Sequence, residues 1–219
     1  MSAADPLRRV LQTGIVAIIR APSGELLADV AEALLAGGID VMEVTFTIPG
    51  AIRVLEQVSS RLGDRVLLGA GTVLDTETAR AAILSGAEFI VSPSTNIEVI
   101  GVCKRYSKLS MPGAFTPTEV IAAWQAGADI VKIFPSDVHG PKYLKALRGP
   151  YPQVRMMPTG GVTLETAADF LKAGACALGV GGSLVEARAL ADRDLARIET
   201  MSRKFVDAVR QARESLHAP

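Results

Sequence analysis

The chain has 219 residues, and Lys+Arg and Asp+Glu are both 23. A formal net charge of zero gives no electrostatic case for a nucleic-acid partner or an anionic membrane. Hydrophobic residues make up 49 % and aromatics only 5 %, so the core is aliphatic, as suits strands buried on both faces and covered by helices.

In chain order, PLRRVLQ reads as an extra helix capping one end of the fold. Short apolar runs then alternate with helical patterns. The runs are IVAIIR (15–20), VMEVTF (41–46), VLLGAG (66–71), EFIVS (88–92), KLSMPG (108–113), DIVKIFP (129–135), RMMPTGG (155–161) and ALGVGG (177–182). Helical stretches such as LADVAEALL, TETARAAILS and TLETAADFLKA lie between them, and residues 186–216 read as one long closing helix. Four segments repeat a common form: AGGID, SGAEF, AGADI and AGACA, spaced by 49, 41 and 47 residues. Each places glycine just past a helix, where a left-handed cap is wanted, with a strand following at once. Eight strand-plus-helix units without a linker predict a parallel sheet closed into a (β/α)8 TIM barrel, one α/β domain over 1–219.

Cys103 and Cys176 show no CxxC spacing and are too few to staple a secreted domain. The opening MSAADPLRRVLQTG lacks the layout of a signal peptide, and no apolar run approaches the ~20 residues of a membrane span. A cytoplasmic protein is the expectation.

In such barrels the active site forms at the C-terminal ends of the strands. The unusual groups of this chain fall there: Arg20, Glu43 with Thr45 and Thr47, Gly71-Thr72, Ser92-Pro93, Lys132, Thr159-Gly160-Gly161 and Gly181-Gly182-Ser183. Period-two alternation puts Met42, Val44 and Phe46 on one face and Glu43, Thr45 and Thr47 on the other. By the same rule Ile130, Lys132 and Phe134 point inward, so one carboxylate and one amine converge in the interior. Two readings follow. A buried Glu43–Lys132 ion pair would hold the strands, although such a pair seldom stabilises more than apolar residues of equal volume. Alternatively Lys132 is a nucleophile. At its ordinary pKa a lysine is only about 0.04 % neutral at pH 7, and an apolar pocket that lowers the pKa to roughly 7.5 must disfavour the ammonium by about 4 kcal/mol. A desolvated amine of that kind attacks carbonyls to form a Schiff base.

PTGG and GVGGS supply backbone N–H groups at loop-to-helix junctions after the seventh and eighth predicted strands, where phosphate sites form in these barrels; tight left-handed turns would also explain glycines there. Metal chemistry and a serine hydrolase are disfavoured, because His139 and His217 are the only histidines and neither has a paired-ligand spacing. No metal or cofactor is expected. His139, in SDVHGPKY, reads as a surface-loop histidine or as an edge of the pocket.

EVTFT (43–47), GAGTV (69–73), SP (92–93), PGAFTPTE (112–119), VKIFP (131–135), PTGGV (158–162) and GVGGSLV (179–185) together resemble the 2-keto-3-deoxy-6-phosphogluconate (KDPG) and 4-hydroxy-2-oxoglutarate (KHG) aldolases. The likeness runs from about residue 14 to 185. It implies a metal-free class I aldolase, a homotrimer of (β/α)8 barrels acting on small 2-keto acids and aldehydes. It implies Lys132 as the Schiff-base lysine, Glu43 as the acid/base, Thr72 and Pro93 beside the pyruvyl group, and Phe134 packed near the imine. Gly160, Gly161, Gly182 and Ser183 would form the phosphate site. One departure is visible. Many members carry at the position of Thr47 an arginine that grips the substrate carboxylate; a branch has threonine there and an arginine ending the first strand, as Arg20 does here. Arg20 is then the candidate for the carboxylate, with capping or solvation as its alternative. A phosphate-binding isomerase or epimerase and a non-catalytic assembly scaffold are the rival functions.

Overall fold

A computed structural model describes residues 5–21 and 23–217. The leader expectation rests partly on residues 1–4, which lie outside the described residues. Parallel strands curl into a half-barrel with helices outside it, an α/β fold. The strands are β1 (Ile15–Ile19), β2 (Val41–Thr45), β3 (Leu67–Gly71), β4 (Phe89–Val91), β5 (Leu109–Met111), β6 (Gly113–Ala114), β7 (Val131–Ile133), β8 (Met156–Pro158) and β9 (Leu178–Val180). One sheet runs β5-β4-β3-β2-β1-β9 and a second runs β6-β7-β8. A parallel bridge from Thr159 to Gly179 links the end of β8 to β9.

The predicted strand 108–113 is divided into β5 and β6 by Pro112. Proline has no N–H to donate to a ladder, but its carbonyl accepts from the Lys132 N–H at 2.9 Å, which keeps β7 in register. The closing helix 186–216 also needs correction. It is two helices, α9 (Ala187–Ala191) and α10 (Leu195–His217), parted at Arg193, whose φ of 53° is left-handed and ends the first helix. Asp194 then starts the second by accepting from the Arg197 N–H at 3.0 Å.

The helices between strands are α2 (Leu27–Ala36), α3 (Ala51–Leu62), α4 (Thr76–Leu84), α5 (Ile97–Arg105), α6 (Pro117–Gln125), α7 (Gly140–Arg148) and α8 (Leu164–Lys172). The repeated glycines do what their spacing predicts: Gly38, Gly86, Gly127 and Gly174 have φ of 94–104°, a region open to glycine at little cost. The first helix, α1 (Pro6–Thr13), begins at Asp5, whose carboxylate accepts from the Leu7 N–H. Arg9 and Thr13 anchor it to Asp40 at 2.7 and 2.6 Å.

Apolar side chains sort into two clusters. The larger lies between strands and helices and takes Met42, Val44, Val131 and Ile133. The smaller lies inside the curl and takes Val10, Val16, Val41, Leu67, Phe89, Met111, Ile130 and Met157. The alternation read from the sequence therefore holds along β2 and β7. α1 covers the N-terminal ends of the strands, since its Val10 belongs to the inner cluster.

Candidate active site

One step of two residues beyond the inner cluster, the interior becomes polar. Val41 is followed by Glu43, Ile130 by Lys132 and Met157 by Thr159. All three polar residues are buried, Glu43 at 1 %, Lys132 at 6 % and Thr159 at 5 % exposure. Glycines on adjacent strands leave the space. A Cβ on Gly71 would lie 2.4 Å from Glu43 Oε1, and one on Gly179 would lie 2.2 Å from Thr159 Oγ1. Gly113 stands in register with Lys132, and a Cβ there would meet the Pro93 carbonyl at 2.3 Å.

Among the described residues, Glu43 and Lys132 form no ion pair within 4.0 Å. Glu43 Oε2 has no hydrogen-bond partner among the described residues. Lys132 Nζ lies 4.9 Å from the centroid of the Phe134 ring. Burial is the dominant influence on both groups. It pushes the Lys132 amine below its ordinary value, against the pull of Glu43 and helped by the positive charge of Arg20. It pushes the Glu43 carboxyl upward, although Lys132 and Arg20 draw it back. The pair is therefore biased toward neutral amine and neutral acid, which a structural ion pair would not be.

Above this layer a cavity of about 780 Å³ opens at the C-terminal strand ends. Of the residues expected from the sequence, Arg20, Thr47, Phe134, Gly160, Gly161, Gly182 and Ser183 line it, and among the described residues Arg20 is the one charged side chain in its wall. Glu43, Lys132, Thr72 and Pro93 do not line it. They lie beneath or beside it: Lys132 under Phe134, Glu43 against Gly71, Thr72 next along β3 and Pro93 against Gly113. Thr72 has a φ of 59°, a costly conformation for a β-branched residue and one that clusters at functional sites. His139 is exposed, precedes α7 and stacks on Phe115 with centroids 5.4 Å apart, so it does not edge the cavity.

Gly160 and Gly161 have consecutive positive φ of 90° and 67°, a backbone conformation open to glycine at little cost. Gly161 is crowded from behind, since an added Cβ would stand 2.7 Å from the Asp137 Cβ. Gly182 faces open space. The Ser183 hydroxyl donates to the Val162 carbonyl at 2.6 Å, tying the two glycine loops together. Its proton is thus engaged by the protein, and a bound anion would have to draw it away.

Two residues had no role assigned from the sequence. Thr159 lines the cavity with its Oγ1 unpartnered among the described residues; its place in the alternation Met157–Thr159 was the available signal. Ser136 donates to the Ile133 carbonyl at 2.7 Å and accepts from the Thr159 N–H at 3.3 Å, joining the ends of β7 and β8. No sequence pattern pointed to it.

Residues 8–201 match the family model described as "Aldolase: KDPG and KHG aldolase". The chain belongs to this family. It is 36 % identical over 207 residues to the 2-dehydro-3-deoxy-phosphogluconate aldolase of Treponema pallidum, covering 94 % of this chain and 96 % of that one. It is 35 % identical over 200 residues to the 2-dehydro-3-deoxy-6-phosphogalactonate aldolase of Escherichia coli K12, covering 90 % and 95 %. The structure of a KDPG aldolase from Legionella pneumophila, with pyruvate captured as a covalent carbinolamine, superposes with a TM-score of 0.85 at 29 % identity over 91 % of this chain and 97 % of that one. Membership makes the chain an aldolase, a lyase. No helix among the described residues is long and apolar enough to cross a membrane.

Proposed function

We propose that the chain cleaves 2-keto-3-deoxy-6-phosphogluconate, or a related 2-keto-4-hydroxy acid, to pyruvate and an aldehyde through a Schiff base on Lys132. The observation that carries the assignment is the Lys132 amine, buried, held below its ordinary pKa and without an ion-pair partner among the described residues. Neutral Lys132 attacks the C2 ketone, the Glu43 acid protonates the carbinolamine hydroxyl, and loss of water leaves a cationic imine beside the Glu43 carboxylate. Glu43, directly or through water, removes the proton of the C4 hydroxyl. The C3–C4 bond breaks, its electrons pass to the imine, and glyceraldehyde 3-phosphate departs from the enamine. Protonation at C3 and hydrolysis release pyruvate. Burial favours a neutral Glu43, but the new cation beside it stabilises the carboxylate when the base is needed.

In this reading Thr72, Pro93 and Phe134 enclose the pyruvyl group, with Thr47 at the rim. Arg20 meets the substrate carboxylate. Gly160, Gly161, Gly182 and Ser183 receive the phosphate about the open end of the cavity.

The fold read here is a single domain with its strands closed into a (β/α)8 barrel. Support comes from the Thr159–Gly179 bridge, from the shared role of Pro112 between the sheets, and from α10, which packs on both α8 and α2. A cytoplasmic homotrimer is the assembly the family likeness favours. The exposed Leu74, Ile97 and Val138, at 58, 62 and 58 %, suit a surface that assembly would cover.

Pyruvate release from the phosphogluconate substrate, its galactonate epimer and 4-hydroxy-2-oxoglutarate, with native mass, tests the proposal. Pyruvate from at least one substrate is expected. Isomer interconversion without pyruvate would move the chain to the epimerase class, and an inert trimer would make it a scaffold.

A further inference from the structure

Arg20 follows β1 and Thr47 follows β2, and both reach one corner of the cavity. Thr45 stands behind them, wholly buried on the interior face two residues beyond Glu43. Its Oγ1 donates to the carbonyl of Ile19, the residue before Arg20, at 3.2 Å, and lies 3.1 Å from Thr47 Oγ1. A hydroxyl has one proton to give, and a carbonyl can only accept. With the Thr45 proton directed at Ile19, the shared contact requires Thr47 to donate to Thr45. Thr47 then turns only lone pairs toward the cavity and cannot donate to a carboxylate. Packing does not demand the Thr45 hydroxyl, since valine has the same shape.

We propose that Thr45 is a positioning residue that clamps the Arg20 end of β1 to the Thr47 end of β2 and, by taking the Thr47 proton, leaves carboxylate binding to Arg20 alone. The inference rests on the aldolase reading above, in which the substrate enters as a 2-keto acid. It assigns Thr45 an effect on affinity for the carboxylate and none on the bond-breaking step.

The test is the pyruvate dependence of borohydride trapping on the full chain, followed by intact mass, with steady-state kcat and KM alongside. Thr45→Val should raise the half-saturating pyruvate concentration and KM by about three- to tenfold, the weight of one hydrogen bond, while saturating rates stay within about twofold. Thr45→Ser should restore the wild-type value. On an Arg20→Met background, Thr45→Val should weaken binding no further, because the clamp acts through Arg20 and the Thr47 proton it releases can only aid the carboxylate. If Thr45→Val does not melt cooperatively, Thr45→Cys takes its place, keeping a small side chain with weak hydrogen bonding. Equal half-saturation in wild type and variant, or full additivity with Arg20→Met, overturns the proposal. Absence of trapping in the wild type would instead remove the aldolase reading beneath it.

Discussion

The interior of the curl holds two adjacent layers built on the same strands, and they obey opposite rules. The lower layer, Val16, Val41, Leu67, Phe89, Met111, Ile130 and Met157, is apolar, buried and sealed from below by Val10 of α1. The upper layer, one alternation further along, contains Glu43, Lys132 and Thr159, with Glu43 Oε2 and Thr159 Oγ1 lacking partners among the described residues. The strands support both layers equally well, so what separates them is side-chain chemistry. The lower layer stabilises the fold by leaving water. The upper layer leaves water at a cost, because burial disfavours the charged forms of Lys132 and Glu43. Stability gained in one layer supports reactivity in the next.

Substitutions in the two layers should therefore separate activity from stability. Lys132→Met should lose more than about 10⁴-fold in turnover, since the covalent route accounts for part of an acceleration that in enzymes is ~10⁶-fold or more. The same variant should melt at a higher temperature than wild type at neutral pH. The sign follows from linkage. The folded-state pKa of Lys132 lies below its ordinary 10.5, so between the two values the unfolded chain binds the extra proton and stability rises with pH. Below that window the full cost of burial remains, and methionine removes it. A lower melting temperature for Lys132→Met would erase the contrast between the layers. In the lower layer, Phe89→Ala should cost about 3–5 kcal/mol in denaturant unfolding, because the ring fills the space beside Gly69 and nothing replaces it.

Two smaller effects sharpen the upper layer itself. Glu43→Gln should still form the imine with pyruvate but lose about 10²-fold in kcat, the usual worth of acid–base catalysis; near-normal turnover would return Glu43 to a structural role. Gly182→Val should lower kcat/KM for the phosphorylated substrate about tenfold and hardly alter that for 4-hydroxy-2-oxoglutarate, because remote phosphate binding contributes to orientation. Gly182 is the clean position, since its added side chain meets open space, whereas Gly161 would press on Asp137. Equal losses on both substrates would place the phosphate elsewhere.

Much of this was legible in the sequence because strand alternation has a strict period. Glu43 and Lys132 could be turned inward from their neighbours alone, and the glycine repeats located the ends of helices. Contacts between distant strands were not legible. That Pro112 divides a strand, that Ser136 bonds the end of β8, and that Thr45 reaches Ile19 depend on register across the sheet, which no local pattern encodes. Arg193 hid its helix break for a different reason: a non-glycine residue in the left-handed region carries no compositional mark.

Reductive trapping tests the central claim most directly. The chain is incubated with pyruvate and borohydride across a pH series, and the modified peptide is located by mass. One adduct should form per chain, on Lys132, at a rate that falls as pH drops through a pKa below 10.5, because protonation removes the attacking lone pair. An adduct on Lys142 or Lys145 in α7, or none at all, would contradict the assignment of the buried amine as the nucleophile.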